Sequence, residues 1–115
     1  GRLMDIELFA QFMGLRAGTG AVEVAGQLNA AHLTQNMSQS DAAALLESYR
    51  VFWKLRVTTQ LLNISDFDLT IMGEGARDVL LRELGLTAPD QVAGYLARYA
   101  KQAQMIITSL LNNER

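Results

Sequence analysis

Apolar and polar residues recur with a helical period along most of the chain, most extensively between Ser38 and Leu62. The apolar residues of this stretch return at steps of three and four, which is the spacing of a buried helical face. We therefore predict one long helix over Ser38–Leu62, with Ser38 or Ser40 as its N-cap. Its predicted buried face comprises Leu45, Leu46, Tyr49, Phe52, Trp53 and Val57, and its solvent face Glu47, Arg50, Lys54 and Thr58.

Two helices are predicted before the long one. Leu3–Leu15 carries a broad apolar arc, and Gly18 lies where a left-handed C-cap is common. Ala21–Leu33 has a weaker pattern, because Gly26 lowers its helix propensity. The first helix is predicted to bury Ile6, Leu8, Phe9, Phe12, Met13 and Leu15 and to turn Glu7, Gln11 and Gly14 to the other side.

Two further helices are predicted after an irregular segment, Asn63–Glu74. Glu74–Leu84 is short and ends at Gly85, whereas Thr87 and Asp90 form a predicted capping box for a last helix reaching about Leu111. The regular four-three apolar spacing of that last helix favours shallow helix crossings. We predict an all-α fold, an up-and-down bundle of four to five helices forming a single domain over residues 1–115. The short helix is predicted to bury Ala76, Val79, Leu80 and Leu84.

Composition removes several functional classes. Ten basic and twelve acidic residues give a net charge of −2, which argues against a nucleic-acid partner because phosphate binding needs a clustered basic face. The chain has no apolar run near the roughly 18 residues of a membrane span. It also has no signal-like segment, so we predict a cytoplasmic protein without a membrane partner. The absence of cysteine excludes disulfides and thiolate metal sites.

Two motifs suggest metal chemistry at first sight. Asp66 and Asp68 are spaced like carboxylates that hold Mg²⁺ against a nucleoside triphosphate. The segment lacks the preceding glycine turn and a third carboxylate, so we predict a surface loop instead. His32 is the only histidine, and it has no second nitrogen or sulfur ligand nearby. We therefore predict no metal site and no catalytic residue in this chain.

Two charged residues fall on predicted apolar faces. Asp5 lies in the apolar arc of the first helix and Arg56 in that of the long helix, where an unpaired buried charge would be costly. We hypothesise a buried ion pair between them if the two helices run antiparallel. Alternatively, Asp5 could act as a first-turn acid and Arg56 could extend its guanidinium to solvent. Glu7 projects about 200° away from Asp5, and we predict that it faces outward.

The opening segment GRLMDIELFAQFMGLR resembles the G-G-x-x-D-I-E-F-x-x-Q-x-x-x-L segment of glutamine-synthetase adenylyltransferases. A second stretch, from Asp41 to Gln60, resembles their D-A-x-x-L-x-x-A-Y-x-F-L-R-x-L-E-x-x-L-Q pattern. There Ser48 replaces an alanine and Arg56 a glutamate, and in the first motif Arg2 and Leu8 depart from the pattern. The residues that match in the first motif are Gly1, Asp5, Ile6, Glu7, Gln11 and Leu15.

The resemblance implies a C-terminal helical domain that follows a nucleotidyltransferase domain, hence a fragment of a longer enzyme whose catalytic carboxylates lie upstream. Such enzymes use ATP and Mg²⁺ to transfer AMP to a tyrosine of glutamine synthetase in nitrogen regulation, and they respond to glutamine and the PII signalling protein. The fragment itself is expected to bind no cofactor. Gly1, Asp5 and Glu7 are its candidate residues at the domain interface or facing the active site. The alternative is a free-standing interaction module whose apolar groove takes a partner helix.

Overall fold

Five α-helices occur among the residues that the computed structural model describes, namely 2–18, 23–34, 36–62 and 73–112. No strand occurs in these ranges, and the predicted all-α bundle is confirmed. Every predicted helix is present, with its ends shifted by at most a few residues. The helices are α1 (Arg2–Ala17), α2 (Val24–Leu33), α3 (Gln39–Leu61), α4 (Glu74–Leu84) and α5 (Val92–Asn112), with a 3₁₀ turn at Pro89–Gln91 before α5.

Local side-chain and backbone chemistry sets several helix ends where the sequence predicted them. The Ser38 hydroxyl accepts a hydrogen bond from the Asp41 N–H at 3.0 Å, which satisfies one of the free amides of the first turn of α3. Gly18 and Gly85 both have a φ of 73°, the left-handed conformation that residues with a Cβ rarely adopt. At Gly85 the Leu86 N–H closes the turn on the Leu81 carbonyl at 2.8 Å, as in a Schellman cap.

We expect Ser38→Ala to lower the free energy of unfolding by about 1 kcal/mol, because the Asp41 N–H loses its acceptor at the helix start. Urea denaturation followed by circular dichroism would measure the change. Ser40→Ala is the matched control, since Ser40 is exposed inside the first turn of α3 and its loss should stay within about 0.5 kcal/mol. Equal losses in the two variants would contradict the cap.

The predicted capping box before α5 is wrong in its residues. The N-cap of the 3₁₀ turn is Ala88, whose methyl group cannot accept a hydrogen bond. The Gln91 Oε1 accepts from the Thr87 N–H at 2.9 Å and from the Ala88 N–H at 3.1 Å. Only the side-chain-to-backbone half of a box is therefore formed, one residue later than expected, because the 3₁₀ turn delays the start of α5.

The helices enclose one main core and one smaller core. The smaller core joins α4 to the start of α5, and Leu55, Tyr95 and Leu96 pack against both cores, so the two are continuous. α3 and α5 run antiparallel, since residues 44 and 48 of α3 meet residues 102 and 99 of α5 in that order. The main core is built from Leu3, Ile6, Phe9, Ala10, Met13, Val24, Leu28, Ala31, Met37, Leu45, Val51, Phe52, Tyr99, Ala100 and Ala103.

Burial departs from the single-stripe prediction at several positions. Thr58 and Gly14 are buried although they were assigned to solvent faces. Leu8 is 57% exposed, Trp53 44% and Val79 39%, although all three were assigned inward. A helix that packs against several neighbours buries a wider and displaced arc, so one stripe cannot describe it. Side chains at the edge of the predicted stripe are then left exposed to solvent.

Candidate functional site

Asp5, Ile6 and Glu7 are consecutive residues near the start of α1, and the burial of Ile6 places the two acids on different surfaces. Ile6 is fully buried. Successive helical residues are about 100° apart, so Asp5 and Glu7 lie on opposite flanks of Ile6. Asp5 lines a groove between α1 and α5, whereas Glu7 lines a cleft between α1, α2 and α3. The two candidate interface acids therefore belong to two different surfaces.

Arg56 is paired with Glu7 and not with Asp5. The Arg56 Nη1 lies 3.6 Å from the Glu7 Oε1, and the two side chains are 50% and 34% exposed, respectively. The Glu7 Oε1 is shielded from solvent and accepts no hydrogen bond. The polar interaction that the structure gives this oxygen is therefore the ion pair with Arg56. Asp5 is exposed. The hypothesised buried pair of Asp5 and Arg56 is thus corrected to a half-exposed pair of Glu7 and Arg56, worth at most about 1 kcal/mol.

The cleft around this pair has a volume of about 520 Å³ and carries both signs of charge. Two carboxylates face two guanidinium groups across it, and the partly exposed indole of Trp53 offers a flat apolar wall. Such a lining suits a polar ligand that carries both charges, or a charged stretch of a neighbouring domain. The lining residues are Glu7, Gln11, Glu23, Val24, Ala25, Gln27, Leu46, Tyr49, Arg50, Trp53 and Arg56.

A buried polar group that the sequence analysis missed joins α3 to α5. The Ser48 hydroxyl donates to the Tyr99 carbonyl oxygen at 2.9 Å and accepts from the Gln102 Nε2 at 3.1 Å. Gln102 Nε2 also donates to the Ala44 carbonyl oxygen at 2.8 Å. In the sequence, the only indication of this contact is that Ser48, a small hydroxyl residue, lies beside the apolar stripe of α3. The groups that Ser48 contacts become clear only from the position of α5.

Tyr99 lies on the edge of a third cleft, of about 530 Å³, between α3, α4 and α5. A hydrogen bond with the Glu47 carboxylate, together with burial, raises the pKa of the Tyr99 phenol. Tyr95 contacts its ring edge-on at a centroid distance of 5.0 Å, and the Arg98 guanidinium lies 5.3 Å from the ring centre. A phenol held protonated in this way is a hydrogen-bond donor to Glu47 and not a base.

Gly1 and the Asp66–Asp68 pair lie outside the described residues. His32 is half-buried on α2. Within the described ranges, no group of three or more His, Asp or Glu side chains is placed to hold a metal ion. None of the described helices combines the length and the apolar character needed to cross a membrane.

The described residues form a helical domain with clefts on its surface. Residues 3–68, which include α1, α2 and α3, match the family described as "Putative nucleotidyltransferase substrate binding domain". The chain belongs to this family, so the expectation of a helical domain associated with nucleotidyltransferases is confirmed. The chain has no significant match among curated proteins or among solved structures.

Proposed function

We propose that this chain is the helical domain of an adenylyltransferase that transfers AMP from ATP to a tyrosine of glutamine synthetase. In this role the domain positions the catalytic domain and the protein substrate relative to each other. The observation that carries the proposal is the family match over residues 3–68. The resemblance of the opening segment and of Asp41–Gln60 to glutamine-synthetase adenylyltransferases supports the finer assignment.

The division of labour within the parent enzyme follows from the same proposal. An upstream nucleotidyltransferase domain supplies the catalytic carboxylates and binds ATP and Mg²⁺, while this chain contributes no catalytic group. The proposal places the parent enzyme in the cytoplasm, where the PII signalling protein is its regulatory partner.

The direct test is transfer by the full-length parent enzyme. With ATP radiolabelled at the α-phosphate, we expect label to enter glutamine synthetase and to be lost when the acceptor tyrosine is replaced by phenylalanine. Label that enters only a different protein or a small molecule would overturn the assignment of the acceptor. It would leave the membership in the nucleotidyltransferase-associated family intact.

Asp5 is the acid that the structure leaves open to a neighbour. In the parent enzyme we expect Asp5→Asn to raise KM for glutamine synthetase by up to about fivefold, the equivalent of an exposed charge pair. KM for ATP and the melting temperature should not change, because Asp5 is exposed. Asp5→Glu should restore most of the affinity. Steady-state kinetics with either substrate varied would separate these effects.

Glu7→Gln provides the matched control two residues away. It removes the same charge, but its partner is Arg56 within the chain, so it should lower stability by less than about 1 kcal/mol and leave both KM values unchanged. If Asp5→Asn left KM for glutamine synthetase unaltered, or if Glu7→Gln raised it equally, Asp5 would have no specific positioning role.

A further inference from the structure

The groove between α1 and α5 is the most apolar of the three clefts and has a volume of about 660 Å³. Eight of its eleven lining residues are apolar, and Asp5 is the single charged one. Leu8 on its wall is 57% exposed, Phe12 39% and Leu111 43%. Single exposed apolar side chains are ordinary on a protein surface, but these three lie along one groove, where one partner can cover them together.

The spacing of the wall residues matches the surface that a further helix would need. On α5 the lining runs from Ala100 through Gln104 and Ile107 to Leu111, in steps of four, three and four. The twelve residues from Ala100 to Leu111 extend about 18 Å, which is a little over three turns. Asp5, Leu8 and Phe12 follow steps of three and four on α1. Side chains of a third helix pack between two such rows.

The negative charge of Asp5 determines which kind of helix the groove can bind. Covering Asp5 with an apolar side chain would strip a carboxylate of water without compensation, which is costly. A second copy of this chain, packed groove against groove, would cover both Asp5 carboxylates and offer neither of them a basic side chain, because the groove lining contains no lysine or arginine. An anionic membrane surface has the same sign of charge as Asp5. The partner that fits presents a lysine or arginine at the Asp5 end.

We propose that the α1–α5 groove binds an amphipathic α-helix of a partner protein. That helix carries apolar residues at four-three spacing over about three turns and a lysine or arginine that pairs with Asp5. The groove would serve such a partner whichever reaction the parent enzyme performs, so the inference goes beyond the proposed function. It also gives the interaction-module alternative a specific surface.

The probe is a fluorescein-labelled synthetic helix of about 14 residues, enough to cover the groove. It carries leucines at four-three spacing and one arginine in the register of Asp5, and its twin carries glutamate instead. By fluorescence anisotropy with the 115-residue chain, we expect the arginine peptide to bind about fivefold more tightly than its twin. Asp5→Arg should reverse this preference.

Apolar variants test the groove itself. Leu8→Gln and Phe12→Gln should each weaken binding of the arginine peptide at least tenfold, as is typical of central apolar anchors (about 1.4 kcal/mol or more). Leu61→Gln is the control, since Leu61 is 81% exposed on α3 and outside the groove, and it should bind as the unaltered chain does. Circular dichroism would establish that each variant is folded before binding is compared.

Three results would overturn the proposal. The first is no binding of the arginine peptide, or equal binding of both peptides that Asp5→Arg leaves unchanged. The second is a concentration-dependent dimer in sedimentation velocity that Leu8→Gln disperses, which would make a second copy the occupant. The third is flotation of the chain with phosphatidylcholine–phosphatidylglycerol vesicles that Leu8→Gln abolishes, which would make a lipid surface the occupant.

Discussion

Leu45→Ala is expected to lower the free energy of unfolding by about 3 kcal/mol, the largest effect predicted for this protein. Leu45 is fully buried on α3, in the core to which α1, α2 and α5 also contribute. Truncation removes apolar contact area and leaves a cavity. Because helices surround the site on several sides, the walls can collapse only in part, and the lost dispersion contacts are not recovered. Urea denaturation monitored by circular dichroism would measure the loss as a lower midpoint with an unchanged m-value.

The control for this prediction lies on the same helix. Leu61 is 81% exposed, so Leu61→Ala should change stability by no more than about 0.5 kcal/mol. The two substitutions remove the same atoms, and the propensity difference between leucine and alanine is only a few tenths of a kcal/mol, so their difference chiefly reports burial. A loss below about 1 kcal/mol for Leu45→Ala would contradict the placement of α3 at the centre of the main core.

The helices were predictable because the forces that define them act over a few residues. Period, capping and glycine conformation are local, so an N-cap at Ser38 or Ser40 and a left-handed C-cap at Gly85 could be predicted from neighbours in the chain, and the structure identifies Ser38. The Ala88–Gln91 turn shows the limit of that argument. A single 3₁₀ turn moved the capping contact by one residue. No local propensity determines whether the side chain of Asp90 or that of Gln91 accepts the hydrogen bonds from the preceding backbone N–H groups.

The partners of charged side chains were not predictable to the same degree. Asp5 and Glu7 flank Ile6 on a helix, and which of them meets Arg56 depends on the rotation of α1 against α3. That rotation is set by the packing of all the helices around the main core and not by the spacing of the acids. For Arg56 the sequence left open a buried carboxylate pair and an extension to solvent, and the structure combines the two: its partner is Glu7, on the other flank of Ile6, and its side chain is 50% exposed.

Whether an apolar helix face is buried or exposed to solvent is the property of this chain that the sequence predicts least well. The pattern along α1 shows that Leu8 and Phe12 belong to an apolar arc, but not whether another helix covers them. In the structure α5 reaches only part of that arc, and a groove with Asp5 at its edge is left open. The candidate site therefore follows from an incomplete match between two amphipathic helices. Neither helix shows it when considered alone.

The Ser48 hydroxyl is the second position where we expect a large effect. Ser48→Ala should cost about 2 kcal/mol, because it removes two hydrogen bonds from a fully buried seam. Alanine is smaller than serine and has the higher helix propensity, so the substitution introduces no steric clash. The loss should therefore come from the polar contacts and not from backbone strain. Ser109→Ala on the exposed side of α5 is the control, expected within about 0.5 kcal/mol.

A double-mutant cycle with Gln102 separates the two contacts of the hydroxyl. Gln102→Ala alone should cost about 1 kcal/mol, and the double variant should fall short of the summed losses by about 0.5–1 kcal/mol, since each single change already breaks the shared Ser48–Gln102 bond. The part of the Ser48→Ala loss that Gln102→Ala does not reduce then belongs to the bond with the Tyr99 carbonyl. A neutral Ser48→Ala, or strict additivity in the cycle, would mean that apolar packing alone sets the register of α3 against α5. With coupling of the expected size, that register depends on a hydrogen-bonded group that lines neither the groove nor the Glu7–Arg56 cleft.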